Sequence, residues 1–227
     1  MHKCPESIEL FQTLLNPEKP LWETDTAKAM IAAARETCWG RNQACDAVIA
    51  RGAVACVLAG AVRKFALRPS GQRQIIDLFV AGDFLGFAPA DPTFCLEAVS
   101  KDTRIASFTR DRVGGLATRF PAFSALMQKC AADAIRRLEH HLLVQSRITA
   151  REKVGAYLAE MARRMKRSRT NTIVLPVTRY DIADHLGIAV ETVSRTMTML
   201  RRRGSIALRT PRDIEIRDES MLSDTHC

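Results

Sequence analysis

Apolar residues along this chain recur with two different periods. Between about Thr37 and Val113 they come in short runs, AVIA, AVACVLAGAVRKFAL and QIIDLFVAGDFLGF, interrupted by Gly, Pro and Asp. RPSGQRQ reads as a loop between two of these runs, and VAGDF and APADPTF read as further turns. Many short strands at close spacing predict a small antiparallel roll or barrel. The preceding residues 1–45 are mixed and predict short helices, with Pro17 and Pro20 breaking the pattern early.

From residue 117 to 146 the period lengthens. Met127, Ala131, Ala134, Leu138 and His141 follow one another at four, three, four and three residues, and Ile135 and Leu142 widen the stripe. That is a heptad seam, which suits burial against a second copy of the chain or against the chain's own domain. Arg147 to Lys166 continues as a helix with Val154, Tyr157, Leu158 and Met161 on one face, and the run KRSRTN ends it.

Residues 178 to 204, TRYDIADHLGIAVETVSRTMTMLRRRG, carry the chemistry. They predict a helix, a tight turn at Gly187 and a second helix. Thr178 is a good N-cap, with Asp181 in the first turn, where the helix dipole favours an acid. In the second helix Glu191, Ser194 and Arg195 are spaced so that their side chains leave one face near the N-terminus. A helix-turn-helix presents that face to the major groove. There Arg bonds guanine O6 and N7, a carboxylate accepts from cytosine N4–H, Ser bonds either kind of edge, and the methyls of Val190 suit a thymine methyl. Thr178, Arg179, Thr192, Arg201, Arg202 and Arg203 are the candidate phosphate contacts. After Gly204, IAL and IEI alternate around TPRD, predicting a hairpin wing whose Arg209 and Arg212 lie at the edge. Beside such a motif the seam reads as a dimer interface, because two-fold sites are read by two-fold proteins.

Charge placement agrees. The net charge is +9, and residues 147–217 hold 16 Lys and Arg against 7 Asp and Glu, so this segment carries an excess equal to that of the whole chain. No apolar run reaches the length of a membrane span. The start, MHKCPESIEL, has neither a basic nor an apolar signal region, so a cytoplasmic location is expected. The seven cysteines (Cys4, Cys38, Cys45, Cys56, Cys95, Cys130 and Cys227) are scattered without a C-x-x-C, which predicts reduced thiols. Cys38, Cys45 and Cys130 are expected to be buried, Cys227 to lie in a frayed tail, and His140 and His141 to be interface or solvated histidines rather than haem ligands. No nucleophile–base pair or phosphate-cradling loop points to an enzyme.

On these residues the chain resembles the CRP/FNR-type transcription regulators, within them the FixK-like branch. IIDLFVAGDFLGF resembles the glycine-bearing turn of that family's sensor β-roll, FTRDRV the end of the roll before the dimerisation helix, and TRYDIADHLGIAVETVSR the recognition motif. The resemblance implies an α+β fold: an N-terminal region and cyclic-nucleotide-binding-like β-roll over 1–114, a dimerisation helix over 115–146, a winged helix-turn-helix over 147–218 and a tail over 219–227. It implies a homodimeric activator that reads TTGAT-N4-ATCAA-type palindromes through Glu191, Ser194 and Arg195, engages RNA polymerase, and serves low-oxygen or nitrogen-oxide-linked genes. The interface would be Met127, Ala131, Ala134, Ile135, Leu138, His141 and Leu142. Cys4 alone precedes Cys38, which does not fit the clustered cysteines of iron–sulfur members. GDFLGFAPADPTF has no Arg to pair with a cyclic phosphate. No cofactor is therefore expected, and the alternative reading is an effector-gated regulator of the same fold, taking haem or a small ligand.

Overall fold

The structure is a computed structural model, and it describes residues 25–88, 90–165 and 172–218. Pro17, Pro20, Cys4, the run KRSRTN and the tail from 219 to 227 lie outside these residues. Helix α1 (Asp25–Ala33) and strand β1 (Arg35–Trp39) come first, and 3-10 turns lie within Asp46–Gly52. Strands β2 (Val54–Ala59), β3 (Ala61–Leu67), β4 (Arg73–Val80), β5 (Phe84–Leu85), β6 (Cys95–Ala98) and β7 (Thr103–Phe108) follow. Next come α2 (Arg110–Arg119), α3 (Pro121–Ser146), α4 (Ala150–Met165), β8 (Thr172–Val174), α5 (Arg179–Leu186), α6 (Val190–Arg202), β9 (Ile206–Leu208) and β10 (Asp213–Ile216). Of the stretch before residue 45, where short helices are expected, the described residues 25–44 hold one helix and also a strand.

The described residues divide into two compact units: 25–66 with 77–137, and 67–76 with 138–218. In the first, the sheet order is β1-β7-β2-β5, and β3 pairs with β6. Successive strand residues point to opposite faces, and both faces are used here. Cys56 and Leu58 of β2, Ala106 and Phe108 of β7 and Phe84 of β5 pack with Met30, Leu116, Phe123 and Leu126 of the helices. The alternate residues Ala55, Val57, Ile105 and Leu85 pack inside the roll with Val62, Phe79 and Leu96. Burial on two faces is why AVACVLA is apolar without interruption.

Gly86 ends β5 at φ +92, and a Cβ there would lie 2.4 Å from the Ala53 carbonyl oxygen. That close approach explains the glycine of the GDFLG turn. Arg137, the last residue of α3 in this unit, places its guanidinium 3.5 Å from Asp77 and 3.6 Å from Asp83, over the Phe79 ring.

Of the cysteines, Cys45 and Cys130 are buried as expected, and burial pushes their thiols up to about 12 and about 11. Cys38 departs from expectation and is exposed. It sits on β1, which among the described residues is an edge strand paired with β7.

In the second unit, Val154, Tyr157, Leu158 and Met161 are the buried face of α4. The three-stranded sheet β8-β10-β9 completes a helical module, with β9 and β10 forming the predicted wing. No helix among the described residues is long and apolar enough to cross a membrane.

Candidate nucleic-acid interface

The site is built around α5 and α6. Thr178 caps α5: its hydroxyl accepts from the Asp181 amide at 3.2 Å, and the Asp181 carboxylate accepts from the Thr178 amide at 2.9 Å and from its hydroxyl at 2.7 Å. This reciprocal box satisfies amides that the helix itself leaves unpaired. At the other end Gly187 adopts φ +65, a left-handed cap that turns the chain toward α6.

Helix α6 buries Val193, Thr196, Met197 and Leu200. With that face fixed inward, helical periodicity directs Glu191, Ser194 and Arg195 outward. Glu191 and Arg195 are exposed and Ser194 is half-buried. A depression of about 510 Å³ is lined by Arg179, Ser194, Arg195, Thr198, Met199 and Arg202. It brings the first turn of α5 beside the outer face of α6 and gathers three guanidinium groups with two hydroxyls, the donor set that phosphates and base edges accept from.

The remaining predicted residues fall as follows. Arg201 and Arg203 are exposed at the end of α6, and Val190 is half-buried at its start. Thr192 lies 3.5 Å from the Arg195 guanidinium and accepts from it, so Arg195 is steadied by Thr192. The Thr178 hydroxyl is occupied in the capping box, donating to Asp181. In the wing, Arg209 is exposed, 3.7 Å from Glu215, while Arg212 is half-buried.

Along α3, Ile135, Leu138 and Leu142 are 58%, 43% and 69% exposed, while Ala131 and Ala134 are half-buried. Two residues of the predicted seam are engaged within the chain. Met127 packs on the core of the first unit, and His141 stacks on His185.

Several residues of the site left no sequence signal. Arg73 and Gln74, on the hairpin tip that belongs to the second unit, reach α5 at Asp181 and Asp184. Thr198 and Met199 join the lining of the depression. On α5, the half-buried His185 sets its ring against those of His141 and Tyr157. Burial, then the neighbouring His141, holds its pKa well below the ordinary value of 6.5. His141 and His140 are also lowered, chiefly by burial. Among the described residues no cluster of His, Cys, Asp and Glu forms a metal site.

The first unit holds a separate cavity of about 440 Å³. Ile49, Phe79, Leu85, Phe94 and Leu96 form its apolar wall, joined by Asp46, Asp91 and Lys64. The Lys64 ammonium sits 4.4 Å over the Phe94 ring.

A capped helix, a left-handed turn, an outward polar helix face and a wing define a winged helix-turn-helix DNA-binding protein, and the Crp-like helix-turn-helix domain matches residues 152–225. The nitrogen fixation regulation protein FixK of Azorhizobium caulinodans is 35% identical over 170 residues, covering 73% of this chain and 68% of that protein. FixK of Rhizobium meliloti is 36% identical over 161 residues, covering 70% and 72%. The structure of FixK2 from Bradyrhizobium japonicum superposes with a TM-score of 0.72 at 28% identity, covering 86% of this chain and 98% of that one. The chain belongs to the CRP/FNR family of transcription regulators, in its FixK-like branch. It is a regulator of this kind and not an enzyme.

Proposed function

We propose that the protein is a homodimeric transcription activator that acts in the cytoplasm, reads a TTGAT-N4-ATCAA-type palindrome and engages RNA polymerase at low-oxygen or nitrogen-oxide-linked promoters. In this reading residues 1–114 supply the N-terminal region and roll, 115–146 the dimerisation helix, 147–218 the DNA-binding domain and 219–227 a tail. The observation that carries it is the outer face of α6, where Glu191, Ser194 and Arg195 stand beside the Arg179–Arg202 depression.

Arg195 reads a guanine, Glu191 accepts from the cytosine of a G·C pair, and Ser194 and Val190 refine neighbouring positions. Arg179, Arg201, Arg202, Arg203 and Thr192 set the register on phosphates, and Thr178 holds the first turn of α5 in place. The exposed stripe of Ile135, Leu138 and Leu142 supports pairing with a second copy, which puts two α6 helices into successive major grooves. Physiological control by oxygen or nitrogen oxides rests on the family alone.

The test is binding of a TTGAT-N4-ATCAA duplex against a scrambled one, in air, without ligand, at fixed salt, with the absorption spectrum recorded. Selective binding by the colourless protein supports a regulator that is competent as made. Equal binding of both duplexes removes the proposed base readout.

The cavity of the first unit supports a second reading, in which a small, largely apolar effector held against its walls gates DNA binding. Selectivity that appears only after an effector or a chromophore is supplied would favour this reading.

A further inference from the structure

We propose that Arg73 is a positioning residue for DNA recognition, a clamp that holds the first helix of the helix-turn-helix from the hairpin tip. This rests on the reading of α6 as the base-reading helix. The tip residues 67–76 group with the C-terminal unit, and three consecutive side chains or backbone groups on β4 meet α5. The Arg73 guanidinium donates to Asp184 Oδ2 through Nε at 2.9 Å and Nη2 at 2.8 Å, and Nη2 reaches Asp181 Oδ1 at 3.3 Å. Gln74 Nε2 donates to the Asp184 carbonyl at 2.9 Å, and the His185 ring hydrogen-bonds the backbone of Ile75.

These contacts do two physical jobs. The last carbonyls of a helix have no partner within it. On α5, Gln74 satisfies that of Asp184 and Gln145 satisfies that of His185. Asp181 is 1% exposed and belongs to the Thr178 capping box. A carboxylate so buried requires a compensating cation, and Arg73 provides one from outside the helix. Arg179 begins α5 directly after the cap and lines the depression with Ser194, Arg195 and Arg202. Arg73 therefore sets the first turn of α5, and through it the geometry of the groove, without touching the nucleic acid.

The experiment measures affinity of the full-length protein for the TTGAT-N4-ATCAA and scrambled duplexes across a salt series. The variants are Arg73→Ala, Arg73→Lys, Asp184→Asn and the Arg73→Ala/Asp184→Asn double. Expected is a loss of about tenfold for the specific duplex in Arg73→Ala and in Asp184→Asn, the scale of one hydrogen bond to a charged group. Little further loss is expected in the double variant, with partial recovery in Arg73→Lys. Binding to the scrambled duplex and the salt slope stay as in the wild type, because no phosphate contact is removed.

Gln74→Ala provides a milder variant that leaves both carboxylates paired, and it lowers the specific affinity in the same sense. Specific affinity unchanged in Arg73→Ala, additive losses in the double variant, or a salt slope reduced by about one would each overturn the role. A wild type that discriminates while Arg73→Ala matches it sinks the clamp alone. A wild type that fails to discriminate sinks the reading of α6 and the clamp with it.

Discussion

The rings of His141 and His185 stack with centroids 4.1 Å apart and 24° between their planes, joining the end of α3 to the last turn of α5. The Tyr157 ring meets His185 edge-on at 5.7 Å. Among the described residues neither Nδ1 has a hydrogen-bond partner, and burial lowers the pKa of both rings, which favours two neutral imidazoles in the stack.

That neutrality makes folding proton-linked. The folded pKa of His185 lies well below 6.5, and those of His141 and His140 are lowered in the same direction. The unfolded chain therefore binds more protons, and stability rises with pH through this window. The contribution is complete above the unfolded value near 6.5 and falls as pH drops below it toward the folded values. Arg164 and His140, whose charges also face His185, push in the same direction, while the bond to Ile75 opposes it. Melting curves from pH 8 to pH 5 should be flat at first and then fall. His185→Gln should flatten the lower limb, and an unaltered limb in that variant would place the titration elsewhere.

Arg195→Ala should cost about 1–3 kcal/mol at the specific duplex and relax specificity. Competition binding with single-base variants of the site checks this. Equal weakening on every sequence would make Arg195 a phosphate contact instead.

Arg202→Ala should weaken all duplexes alike and lower the salt slope by about one. The slope of log affinity against log salt measures it. A change confined to specificity would exclude a phosphate role.

Leu138→Glu should drive the protein toward monomer and abolish tight binding to the full palindrome while leaving the fold intact, because Leu138 is 43% exposed in the single chain. Sedimentation equilibrium reports the mass. An undisturbed dimer would relocate the interface away from this stripe.

Gly86→Ala should destabilise the roll by about 1–3 kcal/mol, the scale for a strained backbone. The added Cβ would meet the Ala53 oxygen at 2.4 Å and the Ile49 side chain at 2.9 Å, in a left-handed conformation. The chemical denaturation midpoint tests this, and a wild-type midpoint would mean that the Ala53–Val54 backbone yields freely.

Much of the protein was legible because its elements are encoded locally. The cap at Thr178, the turn at Gly187 and the inward face of α6 follow from neighbours a few residues apart, whose hydrogen bonds and periodicity form wherever the segment sits. The unbroken apolar runs of the roll likewise announced strands, and the wing announced its own turn. Which strand lies at an edge is a property of the assembled sheet, so Cys38 was expected inside and stands exposed.

The same limit applies to the polar contacts that organise the second unit. Arg73 and Asp184 are 111 residues apart, and His141 and His185 belong to helices separated by a third. Nothing in either local pattern names the partner. The sequence alone determined the winged helix-turn-helix, the face α6 turns outward and the basic charge of its segment, because these depend on periodicity and short-range bonding. Only the tertiary structure decided what holds α5 from behind, where the imidazoles stack and which seam residues stay exposed. Pairing between distant groups is fixed by how the elements pack, and packing is a property of the whole chain.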